Sequence, residues 1–399
     1  MARAVLKGVN PYLPLPELAN LLLGPIYRLP MQHPTPHPPT IALLVFPLGF
    51  LPLGTAEIVW FVLEIYLVMV AVHQLLKIWK IETKPWQFLL IALLALAWQP
   101  VVEELVSGQL TLIMLVCLLG VWKNLREDKQ ISSGLFLGAL MAVKLLGWPI
   151  AVFLLLRSKW KAAGTALAVL LVGNIVAGLW MGFDRVLYYY LNVSSTVALD
   201  YRQHEGNFSL WTIGARLFEG TGVPGASGIQ SPPIYFAPGL AGPVTLGLLL
   251  AALGLSLWLA LRAKDIDTAL SILVCASLLL SPVVWVWYFI LLIVPLSVIG
   301  FRLSRAQFEM RETNLFILVC LLLFFPRELL VTILNVFVDP STRPLPTVPL
   351  PWSLVTLMPQ VVMLVCLWLV WHLGKLSERV LPANIIPTIT EEATKEQIL

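Results

Sequence analysis

Long uncharged apolar runs, separated by short basic turns, leave this chain few places to fold except a lipid bilayer. A run of about 18 or more apolar residues crosses the hydrocarbon core as a helix, whereas about 10–14 make a half-helix or re-entrant piece. Full-length runs cover roughly 56–76, 162–181, 239–261, 283–300, 314–338 and 351–373. Shorter ones cover roughly 40–52, 86–100, 108–122, 132–144, 146–156 and 268–281. Composition agrees, because only 12% of the 399 residues are charged and 59% are apolar. Soluble chains carry about 25% charged residues, so this one cannot build a water-facing surface. The expectation is an all-α polytopic membrane protein of about 10–12 transmembrane and re-entrant helices.

Orientation follows from the cations, since short cytoplasmic loops collect Lys and Arg. Lys77/Lys80/Lys84, Lys123/Arg126/Lys129, Arg157/Lys159/Lys161, Arg262/Lys264 and Arg302/Arg305/Arg311 are assigned to the cytoplasm. Segments 131–156 and 268–300 then begin and end on that side, so each is a hairpin with its tip at the outer face. The tips are Lys144-Leu-Leu-Gly-Trp-Pro149 and Ser281-Pro282, both helix-breaking. Residues 182–235 form one large extracytoplasmic loop, which starts with an amphipathic Asp184–Leu199 segment. The domain reading is a single integral-membrane unit over 1–373 with a cytoplasmic tail at 374–399. The same bookkeeping places residues 1–37 outside, so either 40–52 is a full crossing or a further helix precedes this sequence.

The charge balance of +4 gives no footing for a nucleic-acid partner. Cys117, Cys275, Cys320 and Cys366 all lie in apolar runs and read as small buried hydrophobes, with no metal site among them. Walker, dinucleotide-fold and zinc-protease motifs are missing, which removes ATP-driven pumps and zincins from consideration.

Acids are scarce enough to enumerate on the outer face: Glu17, Glu57, Glu103, Glu104, Asp184, Asp200, Glu205, Glu219 and Asp339. Asp200 and Glu205, with Arg202, His204 and Asn207 beside them, are the best candidates for a general base. A solvated loop is the plainer reading of the same cluster. Lys144 carries an ammonium inside an apolar hairpin, which calls for a cavity, an anion or snorkelling to the interface. Gln109 opens a helix at the outer face, and Trp285, Trp287 and Tyr288 follow the second tip, where they can stack on a sugar or belong to an aromatic belt.

Several stretches together resemble one family. Gly8-Val-Asn-Pro-Tyr12, His37-Pro-Pro-Thr40 and Ser107-Gly-Gln-Leu-Thr111 are followed by Gly138…Lys144 with Trp148-Pro149. Asn207-Phe-Ser209 with Arg216 and Ser281-Pro-Val-Val-Trp285-Val-Trp-Tyr288 complete the series. In this order they resemble glycosyltransferase family 87, polytopic enzymes of the C-type (GT-C) superfamily. Thr111 stands where the family usually has Asn, and Trp287 where it usually has His.

The resemblance implies inverting transfer of a hexose, with mannose the best-known case, from a polyprenyl-phosphate sugar to a lipid or glycan acceptor. It implies an active site on the extracytoplasmic side of the plasma membrane, membrane lipids as partners and no cofactor, with a divalent cation left open. A carboxylate would take the acceptor's proton, and Asp200, Glu205 and Glu17 are the candidates. Lys144, Arg202, Arg216 and Arg28 would hold the departing phosphate. Gln109, Asn207, Ser209, Trp285, Trp287 and Tyr288 would bind substrate. Such enzymes carry an Asp directly after the first spanning helix; here Glu17 is the sole acid before the Pro-Pro pair, consistent with a start upstream. A lipid or oligosaccharide flippase, and a truncated inactive transferase, are the alternatives.

Overall fold

In a computed structural model, residues 1–24, 33–221, 230–305, 310–337, 347–350 and 352–380 are described, apart from a few side chains near 327–334, 352–353 and 378–380. Those residues form helices joined by tight turns, with isolated bridges and no strand among them. Three short helices come first: α1 (Ala2–Leu6), α2 (Leu15–Leu23) and α3 (Thr40–Leu44). α3 stops early, because Pro47 starts a 3-10 turn over Phe46–Phe50, so 40–52 is not one continuous helix.

The bundle proper begins with α4 (Leu53–Ile78), α5 (Pro85–Ala97) and α6 (Gln99–Ser107), the last two forming one apolar unit bent by 71° before Pro100. Gly108, in the left-handed region at φ 56°, ends α6. The Glu104 carboxylate then accepts from the Thr111 and Leu112 backbone N–H groups, which caps α7 (Thr111–Arg126). α8 (Gln130–Val143) breaks at Lys144, whose backbone is extended, and a single 3-10 turn leads into α9 (Trp148–Leu156).

α10 (Trp160–Met181) packs closely along α8. The contact is a small-residue seam in which a Cβ on Gly134 would sit 2.4 Å from the Ala162 carbonyl oxygen. One on Gly138 would lie 2.6 Å from the Val169 side chain. The long loop after α10 starts as α11 (Phe183–Tyr188) and α12 (Ser194–Asp200), joined through a π turn at Tyr189–Val193, and continues to α13 (Ile213–Phe218).

The second half contains α14 (Pro238–Arg262), α15 (Ile266–Leu280), α16 (Ile293–Arg305), α17 (Met310–Phe324), α18 (Pro326–Val336) and α19 (Met358–Val380). Asp265 caps α15 through the Thr268 N–H at 2.7 Å. The apolar run 314–338, expected as one span, divides at Pro326, which cannot supply the backbone donor that a continuous helix needs. Among the described residues, five helical stretches are long and apolar enough to cross a membrane, or six with the bent α5–α6 unit. Shorter apolar helices, including both hairpin arms around Lys144, accompany them. The chain is therefore a multi-pass, all-α membrane protein. The core is centred on α7, α8, α15 and the 286–299 stretch, around the fully buried Trp122 and Phe289.

Charge sorts the two ends. At one end, Arg126 clamps Asp267 bidentately, with both contacts at 2.6 Å, and lies between the Trp79 and Trp122 rings. Lys159 meets Asp128 at 2.8 Å, Arg302 meets Asp265 at 2.9 Å, and Arg157 donates to the Ala263 carbonyl at 2.7 Å. The basic turns are thus gathered on one side. α8 and α15 both start there and carry their helix breaks, Lys144 and Ser281, to the other end of the bundle.

Candidate functional site

The two breaks meet. Lys144 Nζ donates to the Val283 carbonyl at 3.3 Å and to the Tyr288 hydroxyl at 2.6 Å, with its ammonium 4.1 Å from the Tyr288 ring centre. Both acceptors are neutral. Among the described residues, no carboxylate lies within ion-pairing distance of Lys144.

Around this contact lies a cavity of about 1320 Å³, large enough for a sugar phosphate and more. The hairpin tips contribute Lys144, Leu145, Leu146, Trp148, Pro282, Trp285, Trp287 and Tyr288. The segment before α3 adds His33, Thr35 and His37; its place beside α8 is fixed by the Thr40 hydroxyl donating to the Ala142 carbonyl. Glu103, Ser107 and Gln109 enter from the capped α6–α7 turn. The loop adds Tyr189, Tyr190, Tyr201, His204, Glu205 and Trp211. The π turn, which shifts helical register by one residue, lets consecutive Tyr189 and Tyr190 share this wall.

The carboxylates at the cavity are Glu103 and Glu205, of which Glu205 Oε2 is 3.5 Å from His204 Nδ1. Asp200 and Glu17, expected alongside Glu205, are exposed and lie outside the lining. Asp200 is the last residue of α12 and Glu17 sits in the first turn of α2. Glu103, one of the acids assigned to the outer face but outside the expected catalytic set, lines the cavity from α6, just beyond the 71° bend.

The expected phosphate-binding cations divide. Lys144 lines the cavity; Arg202 is paired with Glu219, at 2.7 Å to Oε1, outside the lining. Arg216 is buried and donates to the backbone carbonyls of Thr356 at 2.6 Å, Asn207 at 2.7 Å and Glu205 at 2.8 Å. Burial pushes its guanidinium down to about 10, so it stays cationic at neutral pH. Arg28 falls outside the described residues.

The expected substrate binders divide the same way. Gln109, Trp285, Trp287 and Tyr288 line the cavity. Asn207 and Ser209 are fully buried staples. Asn207 Nδ2 donates to the Pro282 carbonyl at 2.9 Å and to the Tyr201 carbonyl at 3.1 Å, while Oδ1 accepts from the Val284 N–H at 2.9 Å. Ser209 Oγ donates to the Pro282 carbonyl at 3.3 Å. These residues hold the long loop to the second tip and thereby shape the wall.

Two histidines are electrostatically set toward neutrality. Burial, with the Lys144 charge adding to it, holds His37 down to about 4. Burial also lowers His204, with Glu205 opposing and Arg216 reinforcing. His204 Nδ1 accepts the Gly206 N–H at 3.0 Å, which assigns its proton to Nε2. Among the described residues, no group of three His, Cys, Asp or Glu side chains is arranged to hold a metal.

A multi-pass helical bundle whose broken helices and long loop enclose a polar, cation-bearing cavity is the architecture of a membrane-embedded transferase or carrier. Comparison with known families decides between these classes: the model of glycosyltransferase family 87 matches residues 36–282, more than half of the 399. The chain belongs to glycosyltransferase family 87 and is a membrane glycosyltransferase. No curated protein and no solved structure matches it.

Proposed function

We propose that the protein transfers a hexose, mannose in the leading case, from a polyprenyl-phosphate sugar to a lipid or glycan acceptor. We place the reaction on the extracytoplasmic side of the plasma membrane. The observation that carries this reading is the cavity at the hairpin tips, on the end of the bundle away from the gathered basic turns. Cytoplasmic loops collect cations, so the opposite end is the outer one.

Lys144 supplies positive charge without a carboxylate partner among the described residues, which suits a departing phosphate whose charge rises in the transition state. The apolar tip residues Leu145 and Leu146 suit the first isoprene units, and Trp285 and Trp287 offer faces to a sugar. Transfer requires the anomeric C–O bond to phosphate to break, with the electron pair leaving on the phosphate. The acceptor oxygen bonds to the anomeric carbon and loses its proton to a base in the wall.

The test uses purified full-length protein in proteoliposomes, supplied with radiolabelled polyprenyl-phosphate-mannose and a membrane lipid extract as acceptor. Labelled glycolipid and free polyprenyl phosphate are the expected products. Turnover of nucleotide sugars alone would overturn the donor, and movement of intact lipid-linked sugar without covalent change would favour a flippase.

A further inference from the structure

The cavity wall holds a hydrogen-bond chain that joins residues 168 positions apart. His33 Nδ1 lies 2.6 Å from the Pro34 carbonyl oxygen. A carbonyl only accepts, so this contact assigns a proton to Nδ1. The other ring nitrogen, Nε2, is 2.6 Å from the Tyr201 hydroxyl, and the two rings meet edge to face at 5.2 Å. In the neutral imidazole Nε2 therefore carries the lone pair, and the Tyr201 O–H donates to it. The phenol oxygen keeps its own lone pairs for a further donor from the cavity.

Both ends of the chain are braced. His33 is 9% exposed, and the Leu15 N–H donates to its backbone carbonyl at 3.1 Å. The Tyr201 backbone carbonyl accepts from Asn207, and its ring packs edge to face on Trp285 at 5.0 Å. Trp285 and Tyr201 both line the cavity, so a sugar stacked on Trp285 would lie in the space that Tyr201 borders.

We propose that Tyr201 and His33 form the relay that removes the proton from the acceptor hydroxyl, an inference that rests on the glycosyl-transfer reading above. As the acceptor oxygen bonds to the anomeric carbon, its proton passes to the Tyr201 oxygen, and the Tyr201 proton passes to His33 Nε2. The bond from the anomeric carbon to phosphate oxygen breaks with its electron pair going to the phosphate. His33 then holds two N–H groups, one still bonded to the Pro34 carbonyl. The relay resets by returning the extra proton through Tyr201 to the phosphate product or to water. As a class, imidazole is a stronger base than a carboxylate, which suits this task near neutral pH.

The experiment measures polyprenyl-phosphate release from polyprenyl-phosphate-mannose, with the membrane lipid extract as acceptor, by full-length protein in proteoliposomes. Tyr201→Phe and His33→Gln are expected to lower kcat by about 10²-fold or more at an unchanged donor KM. Added imidazole is expected to restore part of the rate to His33→Gly and none to Tyr201→Phe. Thermal midpoints and donor KM show that each variant is folded. An active wild type whose Tyr201→Phe variant keeps its kcat, or loses rate only through KM, overturns the relay alone. Loss of kcat in Glu205→Gln or Glu103→Gln with Tyr201→Phe unaffected assigns the base to a carboxylate instead. A wild type that turns over no polyprenyl-linked donor overturns the glycosyl-transfer reading and the relay with it.

Discussion

The two ends of the bundle use charge in opposite ways. At the basic end the ion pairs Arg126–Asp267, Lys159–Asp128 and Arg302–Asp265 join turns from different helices. At the cavity end, Lys144 leans on a carbonyl, a phenol and a ring face, while the carboxylates Glu103 and Glu205 line other parts of the wall. Paired charges join elements and are then spent. A cation supported by neutral acceptors keeps its field available for an anionic ligand. Arg216 is the intermediate case, buried like a site residue but consumed by backbone carbonyls.

Four expectations bear on this contrast. Lys144→Met should reduce glycosyl transfer most, by about 10²–10³-fold in kcat, the usual cost of one lost charge-stabilising donor. A steady-state assay checks it, and a variant within a few-fold of wild type would mean that the ammonium is merely a tip residue. Arg216→Met should cost about 2–4 kcal/mol of stability, because several buried carbonyls lose a charged donor. Thermal unfolding of solubilised protein reads this, and activity should fall with the folded fraction.

Acidification should destabilise the cavity wall. His37 and His204 have folded-state values below the ordinary imidazole value of 6.5, so the folded state prefers them neutral. The stability present above 6.5 is lost as pH falls, for His37 through about 4. Unfolding midpoints between pH 7 and about 4 should decline, and less so in His37→Gln. Lys159→Ala should be the smallest effect, at most about 0.5–1 kcal/mol, since its pair with Asp128 is largely exposed. A larger loss there would mean that the basic end acts as a network and not as separate pairs.

The sequence revealed the parts of this molecule governed by local rules. Spans such as Leu53–Ile78 and Pro238–Arg262 follow from apolar length, and both hairpin tips follow from breakers placed between basic turns. Lys144 could be singled out because an ammonium in an apolar run is costly wherever the chain goes. Asn207, Ser209 and Arg216 were harder. Residue type shows that they make hydrogen bonds, but their partners are backbone groups at 201, 204, 205, 207, 282, 284 and 356, which no spacing rule brings together. His33 and Tyr201 escaped the reading for the same reason, since their contact depends on how the first segment docks on the loop. The bend that carries Glu103 to the cavity had a visible signal in Pro100, but its 71° angle is a matter of packing.

The glycine seam between α8 and α10 has a mechanical meaning. Lys144 follows Gly138 by six residues, about 9 Å of helix rise, and a backbone resting directly on a backbone has no soft side chain to yield. The helix is thus a short stiff pointer whose pivot is the seam and whose tip is the ammonium. A methyl group added at Gly138 would meet Val169 well inside contact distance and swing that tip. The position of the charge at the cavity thus depends on two glycines that lie outside its lining.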